Sequence, residues 1–374
     1  MSVDVVPLGR SRGELHRFWK AGLPPYAGDP HFVVPLRMDC FDRWAGDHPM
    51  IAEAPSQHFI VQRDGRDVGR IAACTDLVAE RIHGERIGNF GWFECENRTD
   101  SAHALLDAAA SWLRERGRDR VRGPLSYNTN GISGLLVRDD APGPPALDMS
   151  YNPPWYAELI TSWGFEKAKD LLSFWLPTEA HPPGRYKRVV ERLRKRGKLT
   201  VRTIRLDARG FAADLDHVLT VYNAAWAKNW GFVPMNEAEI RHQAKSFKPL
   251  LHKDFALFAE VDGEVVGFLL GIPDFNQALS KIRGRLWPWS VVRLLLARRR
   301  IDRVRVLTLG VLPEKRRLGV EAILIHDVFA RAHRNGMAGG ECGWILEDNR
   351  LMVAGLEEAG GHAFRAYRVY EAAL

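Results

Sequence analysis

Residues 303–336 read RVRVLTLGVLPEKRRLGVEAILIHDVFARAHRNG, and the fold is decided in this stretch. Val304 to Val311 is a β-branched and Leu-rich run of strand length, broken at Leu312-Pro313. After the basic loop PEKRRLG, the apolar positions Val320, Ile323, Leu324, Val328 and Ala332 recur at helical spacing, and Gly336 follows as a C′ residue. The segment is therefore predicted as strand, basic turn, helix. The first N–H groups of such a helix and the positive end of its dipole face back into the turn, where they suit an anion. Arg316 and Arg317 add charge-assisted donors for phosphate oxygens, and Gly319, lacking a Cβ, lets the backbone approach a ligand. The bland alternative is a solvated turn with surface arginines.

Outward from this stretch, the chain shows one plan twice. Asp64-Gly65 and Asp262-Gly263 each join two apolar runs, 57–75 and 255–272, a strong hairpin signal. The segments QRDGRDVG at 62–69 and EVDGEVVG at 260–267 echo one another. In the first half a strand is expected over 87–94 and a helix over 101–116, capped by Asp100 or Ser101. Then come a strand over 120–128, a helix over 156–163 and a strand over 169–176. The N-terminal 57 residues read as a strand, a helix and a wrapping arm. The second half adds helices over 186–196, 215–226 and 351–359, and strands over 341–345 and 364–371. Pro177 to Gly184 is the expected linker.

At 374 residues the chain exceeds one usual core, so two domains are expected, 1–180 and 181–374. With 46% hydrophobic and 26% charged residues it is globular in composition. No apolar run reaches the roughly 20 residues of a membrane span, and the start lacks a signal-peptide core, so a cytoplasmic protein or one peripheral on the inner membrane is expected. Cys40, Cys74, Cys95 and Cys342 are isolated, which predicts reduced structural thiols and no metal. The net charge of +7 is local. Arg185 to Arg205 and Lys281 to Arg305 are strongly basic, and the rest of the chain is net acidic. Such patches suit anionic partners: acyl-CoA phosphates, lipid headgroups or nucleic acid.

Arg316-x-x-Gly319-x-Glu321-Ala322 resembles the pyrophosphate loop of GNAT-fold acyltransferases, with Glu321 where Gly or Ala is usual. The resemblance implies an α/β fold of two tandem GNAT-like domains, each a mixed, mostly antiparallel sheet flanked by helices. The N-terminal half has CENRTD where that loop would be, so its domain is expected to be degenerate. The run PDFNQAL at 273–279, Gly284-Arg285-Leu286, Trp344 to Asn349, Tyr151-Asn152-Pro153-Pro154 and Gly164-Phe165 narrow the resemblance. They are similar to a bacterial tandem-GNAT group that includes bacterial ceramide synthases, which move a fatty acyl group from acyl-CoA to the amine of a long-chain base. An insertion over 273–302 carries Trp287, Trp289 and a Leu/Val run among arginines. That composition suits a bilayer's headgroup boundary, with 281–305 meeting the surface. The other reading is a helix packed on its own domain.

By resemblance, acyl-CoA is a co-substrate and no cofactor is held permanently. The backbone of Val311 and Leu312 would polarise the thioester and grip the pantetheine arm. Arg316, Arg317, Gly319 and Val320 would hold pyrophosphate, and Asn349 matches an Asn that contacts the CoA arm. Where many relatives carry a Tyr that protonates the leaving thiolate, this chain has Leu356; Tyr222, Tyr367 and Tyr370 are the candidate substitutes. The base is expected among Asp274, Glu347 and Asp348, with Asn276 and Gln277 orienting the acceptor beside Asp274. Two rival functions stand beside this reading. One is an aminoacyl-tRNA-dependent transferase of the peptidoglycan type, disfavoured because the aromatics cluster with leucines and are not interleaved with basic residues. The other is a non-catalytic acyl-CoA or lipid-binding protein.

Overall fold

The computed structural model describes residues 3–51, 53–178, 184–195, 199–284, 286 and 288–374. The middle of the expected linker, 179–183, and also Arg285 and Trp287, lie outside these residues. In chain order the elements are β1 (Val3–Leu8), α1 (Arg12–Ala21), α2 (Arg37–Trp44), β2 (Ser56–Arg63), β3 (Arg66–Thr75), α3 (Leu77–His83), β4 (Ile87–Cys95), α4 (Thr99–Arg114), β5 (Arg120–Gly123), β6 (Leu135–Asp139), α5 (Tyr156–Thr161) and β7 (Glu166–Pro177). They continue with α6 (Gly184–Lys195), β8 (Leu199–Thr203), α7 (Ala208–Trp226), α8 (Glu237–Phe247), β9 (Ala256–Val261), β10 (Glu264–Pro273), α9 (Asn276–Leu279), α10 (Pro288–Arg298), β11 (Arg303–Val311), α11 (Val320–Arg334), β12 (Gly339–Leu346), α12 (Arg350–Glu358) and β13 (His362–Ala373).

Two compact units share the chain: Met1–Leu171 with Leu279–Leu295 and Arg365–Leu374, and Leu172–Ala278 with Leu296–Phe364. This differs from a single cut at 180. The reason is hydrogen bonding: Arg365 to Ala373 of the last strand pair with β5 and β6 of the first unit.

In the first unit the strand order is β1-β2-β3-β4-β5-β13, antiparallel except for β4 beside β5. Helix α4 lays Ala102, Leu105, Ala109 and Leu113 on β2, β3 and β4, against Phe59, Val61, Ile71 and Phe90. The second unit repeats the plan, with β12-β11-β10-β9-β8 antiparallel except for β11 beside β12. Helix α11 buries Val320, Leu324 and Val328 against Leu257, Val266 and Val311. On the other face α7 packs Phe211, Val218 and Val221 against Phe258 and Phe268. Both expected hairpins form, and in each the Asp and the Gly have positive φ: Asp64 +50° and Gly65 +76°, Asp262 +52° and Gly263 +86°. Two consecutive left-handed residues match the twist of paired strands, which is why Asp-Gly was a usable signal.

Elements that were not expected include α3, β6, β8 and α8, a second helix in the N-terminal segment (α2) and the short α9. The short α3 buries none of its residues and is held by its Asp76 cap, which accepts from Ala79 N–H at 2.8 Å. Helix α4 starts at Thr99, behind Arg98 and without a side-chain cap. Asp100 and Ser101 are otherwise engaged, because both accept from the Arg63 guanidinium. Strand β5 ends at Gly123, before Pro124, well short of residue 128.

Candidate active site

The second unit's parallel pair is a fork. Arg303 to Val306 pair with Gly339 to Cys342, and the register stops there. Beyond it β11 stays bonded to β10 alone, with Leu269, Phe268 and Gly267 opposite Leu309, Gly310 and Val311. A bulge opens the fork: Gly271 faces Val306 and Leu270 faces Thr308, so Leu307 is an extra residue.

Alternation then fixes where each backbone amide points. Leu312 N–H donates to Val266 O at 2.9 Å, so positions 312, 310 and 308 bond to β10. The amides of Val311 and Leu309 therefore face the side that β12 has left. Of the two amides expected to meet the thioester, that of Val311 faces the open side of β11. That of Leu312 does not: its N–H is held by Val266 and its carbonyl accepts from Lys315 N–H. The second amide on the open side is that of Leu309, which strand alternation identifies once the bulge is placed.

Past Val311, Pro313 to Leu318 form a turn of 3-10 helix and Gly319 adopts φ +73° before α11 begins with no side-chain cap. Arg317 is exposed, and the Arg316 guanidinium donates to Ala225 O at the end of α7. The glycine's missing Cβ leaves room for a side chain. A Cβ there would lie 2.4 Å from Leu193 Cδ1, so the space is filled by a side chain of α6. Helix α6 is held by Tyr186 Oη donating to Ala322 O at 3.0 Å and by Arg194 pairing with Asp327. Helix α6 thus packs on the loop through Leu193 and along α11 through Tyr186 and Arg194. Burial pushes the Glu321 carboxyl up, against its own backbone N–H and the nearby Arg316, which both pull it down.

The parallel pair also sorts the expected bases. Glu347, Asp348 and Asn349 follow β12 at the same end of the fork as Val311 and the loop. Glu347 is half-buried and Asp348 exposed. Asn349 Oδ1 accepts from Met352 N–H at 3.3 Å, capping α12. Asp274 and Asn276 are at the opposite end. Asp274 N–H donates to Arg303 O at 2.8 Å, so the nine residues of β11, about 26 Å of strand, separate it from Val311. Asp274 Oδ1 accepts from Asn276 N–H at 3.2 Å, forming a side-chain turn after Pro273. Asp274 and Asn276 are thus not brought together with Val311 and the basic loop.

Leu356 points inward among Val190, Ile323, Phe329 and Ile345 and leaves no acid at its position. Tyr367 and Tyr370 belong to the first unit. Tyr222 packs on Trp226 and Phe232, and burial raises its pKa. Trp226 covers β11, since a Cβ on Gly310 would meet its ring at 2.9 Å. On this same strand face, two residues before Gly310, the Thr308 hydroxyl is buried and has no hydrogen-bond partner. Cys342, at the fork, has its thiol pushed up to about 12 by burial and is no nucleophile at neutral pH.

The corresponding place in the first unit is closed. Past the β4/β5 pairs, Leu125 N–H still donates to Phe90 O at 2.7 Å, and a Cβ on Gly91 would meet Leu125 O at 2.2 Å. At the start of α4, Glu96 and Asp100 pair with Arg63 at 2.8 and 2.6 Å, so carboxylates occupy the region where an anion would bind.

A fork between parallel strands, a basic turn and an uncapped helix, repeated in closed form in the other unit, define a tandem protein of the GNAT-fold acyltransferase superfamily. The solved structures agree in fold. A tandem GNAT protein from the clavulanic acid biosynthesis pathway matches with a TM-score of 0.58 at 13% identity, over 100% of this chain and 98% of that one. A GCN5-related N-acetyltransferase from Sphaerobacter thermophilus matches with a TM-score of 0.53 at 13% identity, over 99% and 95%. No family model matches the sequence. Among curated proteins, the chain is 32% identical to the bacterial ceramide synthase of Caulobacter vibrioides, over 100% of this chain and 98% of that protein. It is also 32% identical to protein YghO of Escherichia coli, over 92% and 89%. The chain belongs to the bacterial tandem-GNAT family that contains these two proteins.

Proposed function

We propose that the chain is an acyl-CoA-dependent N-acyltransferase that moves a fatty acyl group onto the amine of a long-chain lipid base. The observation that carries the reaction class is the fork: two outward amides, Leu309 and Val311, lead along an open strand edge to a basic turn and an uncapped helix. An extended pantetheine arm can pair with that edge while its diphosphate meets Arg316, Arg317 and the amides at Gly319 and Val320. The lipid acceptor rests on the full-length relationship to a protein named bacterial ceramide synthase.

In this reading the amine nitrogen attacks the thioester carbonyl carbon. The C–N bond forms, the C–S bond breaks, and the outward amides stabilise the oxyanion. Glu347, the less exposed carboxylate of the 347–348 turn, takes the amine's proton. CoA leaves as a thiolate, and the Thr308 hydroxyl donates a hydrogen bond to the sulfur in place of the missing tyrosine. Leu193 must draw back from Gly319 for the diphosphate to use that face of the loop.

The test is thiol release and product mass with palmitoyl-CoA and sphinganine, set against acetyl-CoA with soluble amines and against charged tRNA. Release only with the first pair is expected. Glu347→Gln is expected to lower kcat at least tenfold while CoA affinity stays within twofold. The covering of Gly319 by Leu193 favours one second reading, a non-catalytic acyl-CoA or lipid-binding protein. Thiol release from none of the pairs, with acyl-CoA still bound, would establish it.

A further inference from the structure

No helix among the described residues is long and apolar enough to cross a membrane. Helix α10 nevertheless turns an apolar face to solvent. Trp289 is 79% exposed, Val292 49%, Leu295 59% and Leu296 61%. Their spacing places all four on one arc of about a third of the helix circumference. Scattered exposed leucines are ordinary, but four large apolar side chains on one arc, led by a tryptophan, are not. Leu286, just before the helix, is 43% exposed. The chain leading into α10 is anchored: Gly284 O accepts from Arg37 N–H at 3.1 Å, and a Cβ on Gly284 would meet Val34 at 2.6 Å.

The surroundings say what covers this face. Lys281, Arg283, Arg293, Arg298, Arg299, Arg300 and Arg303 are all exposed. The acid among them, Asp302, accepts from Gln277 Nε2 at 2.7 Å. A second copy seated face to face would set these arginines against their own kind, which costs free energy. A bilayer with anionic headgroups satisfies both parts, taking the apolar arc at the acyl boundary and the guanidinium groups at the phosphates. At eleven residues α10 is about 16 Å long, suited to lie in the plane and too short to span.

We infer that α10 is a membrane-docking helix that seats the protein on anionic phospholipid bilayers. The inference stands on this surface and not on the reaction, and binding is read with no substrate present. The full chain is floated with vesicles of phosphatidylethanolamine containing none or 30% phosphatidylglycerol, at low and high salt. Binding is expected to rise with phosphatidylglycerol and to weaken in salt. Trp289→Ser/Leu295→Ser/Leu296→Ser should lower the partition coefficient at least tenfold while circular dichroism and thermal melting stay unchanged. Replacing Arg298, Arg299 and Arg300 by Gln should lower it roughly fivefold per residue on the anionic vesicles only. No binding by the wild type, or equal binding by the serine variant, overturns the proposal. So does a dimer by light scattering that the serine variant disperses, because then a second copy covers the face.

Discussion

Gly319→Ala is the most informative single change, because the structure assigns its cost to two separable causes. At φ +73° an L-residue costs about 1–2 kcal/mol. The new methyl would also stand 2.4 Å from Leu193 Cδ1, where carbon atoms rest at about 3.5–4.0 Å. The tip of Leu193 must swing away, an off-rotamer displacement of about 0.5–1.5 kcal/mol. Together these give about 1.5–3.5 kcal/mol, or roughly 3–14 °C in the melting of a unit of this size. Leu193→Ala removes the second cause and leaves the first. The double variant should therefore be less destabilised than the sum of the singles, by about 1 kcal/mol, in a thermal or urea double-mutant cycle followed by circular dichroism. Additivity within about 0.4 kcal/mol would refute the packing of α6 on this loop. An unchanged melting temperature for Gly319→Ala alone would refute the left-handed turn as well.

Three further outcomes follow from individual side chains. Glu321 has a raised pKa, so it ionises beside the proposed diphosphate site as pH climbs through that pKa. Wild-type CoA affinity, by calorimetry, should fall over that range, and Glu321→Gln should abolish the dependence and bind roughly fivefold tighter at the alkaline end. Asp214 is fully buried on α7 and accepts from Arg202 and from Arg205; burial pushes its carboxyl up, but these hydrogen bonds outweigh it and hold the pKa below the usual value. Its stabilisation is therefore present above the ordinary carboxylate pKa and lost as pH falls through the depressed one. Asp214→Ala should cost about 3 kcal/mol at pH 7, and the difference from wild type in urea melts should shrink in acid. Thr308→Val, which removes a buried hydroxyl without a partner, should raise stability by about 1 kcal/mol and lower kcat, trading activity for stability. An unchanged kcat would remove Thr308 from the mechanism.

Much of the fold was legible in the amino acids. Strand β11, the basic turn and α11 follow from a β-branched run, a proline, and apolar residues at helical spacing, all of them local signals. The two Asp-Gly hairpins are local as well, because one dipeptide sets both dihedral pairs of the turn. The family resemblance rested on residues close together in the chain, and it held over the full length.

The functional geometry could not be read that way. That Val311 and Leu309 present amides to the fork, and Leu312 does not, depends on a bulge at Leu307 and on which edge of β11 loses its neighbour. Asp274 is a candidate base by sequence because it follows an apolar strand beside polar residues. Antiparallel pairing carried it to the far end of β11, while parallel pairing carried Glu347 to the near end. Leu193 lies far from Gly319 in sequence, and only the docking of α6 on α11 brings them into contact. Local residue types therefore determined which strands, turns and helices exist. Strand direction and long-range packing decided which side chains share a site, because those depend on pairings between residues distant in the chain.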